Sequence, residues 1–221
     1  MKLYLKKQRR TVGDAGPYRD GRGIMEIRNL KLGSYQTNCY ITWGEGASNC
    51  IVVDPGFEPE RVLEEVRRCG KSLEAILLTH GHFDHVGGVK QIAADTDCRV
   101  FICEKDLSLS PMLTDGVLYY TDTYAEGDTL ELAGLCLQVL QTPGHTPGSV
   151  CLQCGDALFC GDTLFAGTCG RTDLPGGSMA QMRQSLARLK ALPGNFRVLP
   201  GHGEQSTLDE ERVYNPYLQG V

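Results

Sequence analysis

Apolar residues recur along this chain in two periods, and the two alternate. Strand-like runs cover MEIRNLKL (25–32), TNCYITW (37–43) and NCIVVD (49–54), the last closed by the turn Pro55-Gly56. Helical spacing takes over in EPERVLEEVRRCG (58–70): Pro59 suits a first turn, Val62, Leu63 and Val66 supply the apolar positions, and Gly70 ends the segment. LEAILLT (73–79) reads as a buried strand, residues 86–94 as a helix and CRVFICE (98–104) as a strand. Over 106–127 the periodicity fades. That stretch, with Pro111, Gly116, Tyr119, Tyr120 and Tyr124, reads as a loop or short helices and is a candidate gate over a site. Strands return at 129–132, 135–141, 149–154 and 156–161. SMAQMRQSLARLKAL (178–192) is an amphipathic helix with Met179, Met182, Leu186 and Leu189 on one face. FRVLP (196–200) is a short strand, and Thr207-x-x-Glu210 is a capping box opening a final helix. No repeat or linker interrupts the pattern, which predicts one α/β domain.

Composition narrows the class. A chain of 221 residues, 41% hydrophobic and 22% charged, can bury a sizeable core as a soluble globular protein. No apolar run approaches the roughly 18 residues of a membrane helix. The net charge of −5 disfavours nucleic acid as a partner. Residues 1–23 carry seven Lys and Arg against Asp14 and Asp20, leaving fifteen basic against twenty-five acidic residues in the rest. This start has no apolar stretch of signal-peptide length. Residues 1–24 are therefore expected to be a disordered basic extension before a folded domain at 25–221. The ten cysteines then read as reduced thiols of a cytoplasmic protein rather than a disulfide framework. Cys98, Cys136, Cys151 and Cys160 fall in apolar runs where a thiol packs as a small hydrophobe. Cys151-x-x-Cys154 lacks the second pair that a zinc ribbon needs and reads as packing too.

Histidine changes the picture. Only five occur, and three lie within T-H-G-H-F-D-H (79–85). His145 stands in TPGHTPGS and His202 in LPGHGE, while Asp162 in LFCGDTLF follows a strand in the same manner. Each lies at or just after the end of an apolar run, where open α/β sheets place ligands and catalysis. A loop leaving a strand can aim His80 and His82 at one ion while Asp84 and His85 face a neighbour. These nitrogen and oxygen donors suit zinc, iron or manganese. Seven ligands exceed the four of a tetrahedral ion but fit two ions sharing a carboxylate. A surface loop of solvated histidines is the plain alternative, and it does not explain why all five fall in such contexts.

Together, T-H-G-H-F-D-H, D-P-G (54–56), T-P-G-H-T-P-G-S, G-D-T-L-F and P-G-H-G resemble the metallo-β-lactamase-fold hydrolases. Within these the chain is similar to the short bacterial glyoxalase-II-like proteins (hydroxyacylglutathione hydrolases), which share G-R-T-D-L-P-G-G and N-P-Y-L. The resemblance runs in order from about residue 25 to 218. It implies a four-layer αβ/βα sandwich with two divalent ions, zinc foremost, on one edge between the sheets. It puts His80, His82 and His145 on the first ion, Asp84, His85 and His202 on the second, and Asp162 between them. Asp84 and Asp162 are then the carboxylates of the reaction centre. Asp54 is not implied as a ligand; it either accepts an imidazole N–H from one or simply forms its turn.

A metal pair lowers the pKa of a bound water from 15.7 towards ~7 and polarises a carbonyl. A thiol, with pKa ~8.5, leaves without help, whereas an amine must be protonated. No unassigned histidine remains to act as general acid, which favours hydrolysis of a small-molecule thioester over an amide. Departures from full-length glyoxalase II stand out. The chain closes at Val221 without a C-terminal helical domain, and Cys169-Gly170-Arg171-Thr172-Asp173 replaces a basic residue followed by tyrosine. Arg171 can pair with a substrate carboxylate or with Asp173, which would itself repel one. C-G-R-T-D also resembles the persulfide dioxygenases, whose single iron would need His80, His145 and Asp162. A β-lactamase is disfavoured, because many carry cysteine at the Asp162 position and no export signal is read here. A non-catalytic metal-binding module is the alternative from another class. No feature of the sequence sets an oligomeric state.

Overall fold

The continuous apolar runs become central strands buried on both faces. The computed structural model describes residues 18–20 and 23–221, so most of the extension expected at 1–24 lies outside the described residues. The first sheet holds β1 (Tyr18–Asp20), β2 (Gly23–Leu32), β3 (Thr37–Gly44), β4 (Asn49–Val53), β5 (Ser72–Leu77), β6 (Arg99–Cys103) and β7 (Asp122–Tyr124), in chain order. Pairing is antiparallel from β1 to β4 and parallel from β4 to β7. Parallel pairing needs crossovers. Helix α1 (Pro59–Arg68) makes the first, and α2 (Phe83–Val86) with α3 (Val89–Thr96) the second.

After α4 (Pro111–Thr114), the second sheet begins with β8 (Thr129–Leu132), β9 (Leu135–Gln141), β10 (Val150–Cys154) and β11 (Ala157–Gly161). A hairpin of β12 (Leu164–Phe165) and β13 (Thr168–Cys169), then helix α5 (Met179–Lys190), lead to β14 (Arg197–Pro200) and β15 (Ser206–Thr207). The order is β15-β14-β11-β10-β9-β8. Along β11 the faces alternate: Ala157 and Phe159 enter the core between the sheets, while Leu158 and Cys160 pack with Met182, Leu186 and Leu189 of α5. Both faces are buried, so the run reads as unbroken apolar sequence. Val62, Val66 and Ile92 of α1 and α3 join the core from the other side. The result is a mixed α/β arrangement of two sheets packed on each other with helices on their outer faces, as the four-layer αβ/βα expectation requires.

Some elements depart from the sequence pattern. The helix expected over 86–94 is two pieces, α2 and α3, broken at Gly87-Gly88. Gly88 N donates to Pro55 O at 2.9 Å, and a Cβ there would lie 2.6 Å from that oxygen. The Asp54-Pro55-Gly56 turn thus docks on the break and leaves Asp84 and His85 on a helical turn of their own. Residues 106–127 contain, besides short helices, the unforeseen edge strand β7, too brief for a period to show. Its Tyr124 is buried and donates to the Leu78 carbonyl, while Tyr119 and Tyr120 stay exposed. The final helix is split at Pro216 into α6 (Leu208–Tyr214) and α7 (Pro216–Gln219). Its capping box is present: Glu210 N donates to Thr207 Oγ1 at 3.3 Å and Thr207 N to Glu210 Oε2 at 3.0 Å. Cys98, Cys151 and Cys160 are buried, but Cys136 is only half-buried on β9. Among the described residues no helix is long and apolar enough to cross a membrane.

Candidate metal centre

Four strand ends converge on one edge between the sheets. His80, His82, Asp84 and His85 follow β5, His145 follows β9, Asp162 follows β11 and His202 follows β14. All seven residues singled out in the sequence meet here, in two groups. Ligand atoms of His80, His82 and His145 lie within 4.8 Å of one another, and so do those of Asp84, His85 and His202. His82 Nδ1 is 2.8 Å from His145 Nε2. His202 Nε2 is 3.1 Å from Asp84 Oδ2 and 3.3 Å from His85 Nε2. Asp162 stands between the groups, with Oδ1 3.4 Å from His85 Nε2 and Oδ2 3.5 Å from His145 Nε2.

The far side of most rings is fixed by the fold. His145 Nδ1 donates to the Arg171 carbonyl at 2.8 Å, and His202 Nδ1 to the Tyr35 carbonyl at 3.2 Å. His85 Nδ1 donates to Asp54 Oδ2 at 2.9 Å. Asp54 also accepts from Thr79 N at 2.8 Å and Thr79 Oγ1 at 2.6 Å, so this buried carboxylate does more than form its turn. One further group, Asp54 with His80 and His85, satisfies the same proximity. However, those three hydrogen bonds already occupy both Asp54 oxygens. Gly201 permits a close approach: a Cβ there would lie 2.4 Å from Asp162 Oδ1.

Burial pushes the His80 imidazole far down and His82 down to about 4, with neighbouring imidazoles adding to the effect. Both are therefore neutral at pH 7, the form that binds metal. Burial also disfavours charge on His85 and His202, but Asp162 with Asp54 at the first, and Asp84 with Asp162 at the second, hold them above the usual imidazole range. Burial alone would raise the Asp162 and Asp84 carboxyls. The surrounding imidazoles, His85 foremost at Asp162 and His202 at Asp84, outweigh it and keep both low.

His80 Nε2, His82 Nε2 and Asp162 Oδ1 are buried without a hydrogen-bond partner. Such orphans are costly in a folded protein, and a cation among them would satisfy the set. The donor chemistry, imidazole and carboxylate, fits a divalent transition metal.

A cleft of about 300 Å³ opens over the centre. Beyond the candidate ligands it is lined by Tyr35, Phe83, Leu113, Leu174 and Arg171. Arg171 grips Asp173 in a two-pronged pair, Nε to Oδ1 at 2.7 Å and Nη2 to Oδ2 at 2.8 Å, both side chains exposed. None of the three tyrosines of the expected gate reaches the cleft; Leu113 of α4 does. Not legible in the sequence are Asp106, whose carboxylate braces two of the histidine-bearing loops, and the backbone carbonyls of Tyr35 and Arg171. Only the fold brings these to the rings.

Residues 32–202 match the family model "Metallo-beta-lactamase superfamily". The hydroxyacylglutathione hydrolase GloC of Haemophilus influenzae is 33% identical over 216 residues, covering 88% of this chain and 98% of that one. Among solved structures, the BLEG-1 B3 metallo-beta-lactamase superposes with a TM-score of 0.80 at 31% identity, covering 88% of this chain and all of that one. TTHA1623 in a di-iron-bound form superposes with a TM-score of 0.74 at 37% identity, covering 86% and 98%. With its motifs gathered at one edge of this fold and the family match spanning most of its length, the chain belongs to the metallo-beta-lactamase superfamily.

Proposed function

We propose that this protein is a two-metal hydrolase of small-molecule thioesters, similar in reaction to hydroxyacylglutathione hydrolase. The observation that carries the reading is the pair of three-residue clusters with Asp162 between them. His80, His82 and His145 would hold one ion, Asp84, His85 and His202 the other, and Asp162 both. Bound there, two divalent ions supply Lewis acidity and hydroxide at neutral pH. Zinc is the foremost candidate, and the di-iron relative keeps iron in view.

The chain's own residues shape the rest. Asp84 and Asp162 face the cleft as carboxylates held ionised by the imidazoles, able to hold an ion and to orient a water by accepting its hydrogen bonds. The opposite wall is apolar and aromatic, with the Tyr35 and Phe83 rings edge to face at 5.2 Å. Apart from the ligands, the wall offers only Tyr35 and the engaged Arg171 as proton donors. Such a wall gives an amine little help to leave, and a thiolate needs none. A complete second cluster favours two ions over the single iron of a persulfide dioxygenase. The buried free thiols Cys39, Cys50, Cys103 and Cys151 accord with a reducing cytoplasm.

Metal analysis of the purified protein beside S-lactoylglutathione hydrolysis tests the proposal. About two ions per chain, with turnover abolished by chelation and restored by metal, is the expected result. One iron with sulfide-dependent oxygen uptake would move the chain to the dioxygenases, turnover of a chromogenic β-lactam alone would overturn the thioester reading, and metal with no turnover would leave a binding module.

Arg171→Ala is expected to raise KM for an acidic thioester severalfold with metal content intact, because the backbone carbonyl, not the side chain, holds His145. Asp173→Asn, which frees the guanidinium, is expected to lower KM. Unchanged KM in both variants would make the pair purely structural.

A further inference from the structure

Asp106 lies in the 3-10 turn Glu104–Ser108 after β6 and is fully buried. Its carboxylate is saturated by donors from two distant loops. Oδ2 accepts from Gly81 N at 2.8 Å and from Thr146 Oγ1 at 2.9 Å, while Oδ1 accepts from Gly148 N at 2.6 Å. Gly81 stands between His80 and His82, on the loop that leaves the first sheet. Thr146 and Gly148 follow His145, on the β9–β10 connection of the second. The approach is close: a Cβ at Gly148 would lie 2.5 Å from Asp106 Oδ1. One side chain therefore clamps together the two loops whose imidazoles meet at 2.8 Å.

Nothing comparable joins Asp106 to the other cluster. His85 is held by Asp54, and His202 by the Tyr35 carbonyl. We propose that Asp106 is a positioning residue that sets His145 against His80 and His82, and so tunes the affinity of that three-histidine site without touching the ion. The proposal rests on the assignment of those three histidines to one ion. Burial raises the Asp106 carboxyl, and the three donors pull it back towards the ionised form that accepts all of them. A carboxylate offers acceptors on both oxygens. A carboxamide offers them on one, so in Asp106→Asn an NH₂ must confront a backbone N–H of either Gly81 or Gly148.

The test separates the two sites. In a His202→Ala background the three-histidine site remains, and in a His145→Ala background the other does. Apoprotein in each background is titrated with Co²⁺ and with Zn²⁺ against a chromophoric chelator, with and without Asp106→Asn, and circular dichroism checks the fold. The expected result is a loss of about tenfold or more in affinity at the three-histidine site, in the range for outer partners of metal ligands, with the other site unchanged. Equal affinities with and without the substitution would overturn the positioning role. So would an equal loss at both sites, which marks general loosening. A wild-type protein that binds no metal would overturn the metal assignment and this proposal with it. Should Asp106→Asn fail to fold, Thr146→Val carries the test, with Ser149→Ala as its control: the first removes the hydroxyl bonds to Asp106 and to Ser149 Oγ at 2.8 Å, the second only the Ser149 contacts, and both spare the two backbone bonds to Asp106. Thr146→Val is expected to weaken the same site to a lesser degree, and no change there beyond the control overturns the proposal.

Discussion

Replacing Asp162 by alanine is expected to strip both halves of the centre at once. Its two oxygens reach His85 and His145 at 3.4 and 3.5 Å, and Oδ2 lies 3.7 Å from His202. Removing it also takes away one of the carboxylates that hold His85 and His202 above the usual imidazole range, and with it a negative charge facing both clusters. Metal per chain, measured on the purified variant, should fall from about two to below one. Thioester turnover should fall by more than the roughly 10–100-fold typical of residues that only support a ligand. Asp162→Asn, of the same size, is expected to keep the fold and still lose activity, because the charge is what the ions need. Retention of both metal and turnover in either variant would end the bridging assignment.

The second large effect is expected at Asp54, through folding as well as metal. Asp54→Ala leaves the Thr79 N–H, the Thr79 hydroxyl and the His85 Nδ1–H without their acceptor in a buried setting. Each such group costs about 1–3 kcal/mol, and the three share one site, so their costs do not simply add. Asp54 also has φ of 52°, a left-handed conformation that Asp and Asn tolerate better than Ala. Denaturant unfolding should therefore show a loss of several kcal/mol for the alanine variant, with the midpoint shifted and the slope unchanged. Asp54→Asn separates the two roles. It keeps the turn and the acceptor for Thr79 N, but its NH₂ then accepts from neither the Thr79 hydroxyl nor His85 Nδ1. It should fold and bind the ion at Asp84, His85 and His202 about 10–100-fold more weakly. Full metal affinity in Asp54→Asn would reduce Asp54 to a turn-forming residue.

Much of this centre was legible because each candidate ligand is local to a strand end. A continuous apolar run such as LEAILLT marks a strand buried on both faces, and a polar loop with histidines after it marks where that strand emerges. The period along the chain likewise exposes α1 and α5, whose apolar faces are long enough to repeat. It does not expose β7, with three residues, or the break at Gly87-Gly88, which exists because the Asp54-Pro55-Gly56 turn occupies that space.

What the sequence by itself determined is the alternation of strands and helices and the kind of chemistry at the strand ends. Tertiary structure decided which ends meet: His145 against His82 across 63 residues, His202 against Asp84, and Asp106 beneath both histidine loops. It also turned Arg171 towards Asp173 and gave its carbonyl, rather than its guanidinium, to the site. The physical reason is that periodicity encodes which face of an element is apolar, a property of neighbours along the chain. The meeting of loops from two sheets is fixed by how those faces stack across the core, and by buried carboxylates that must find donors wherever the fold supplies them.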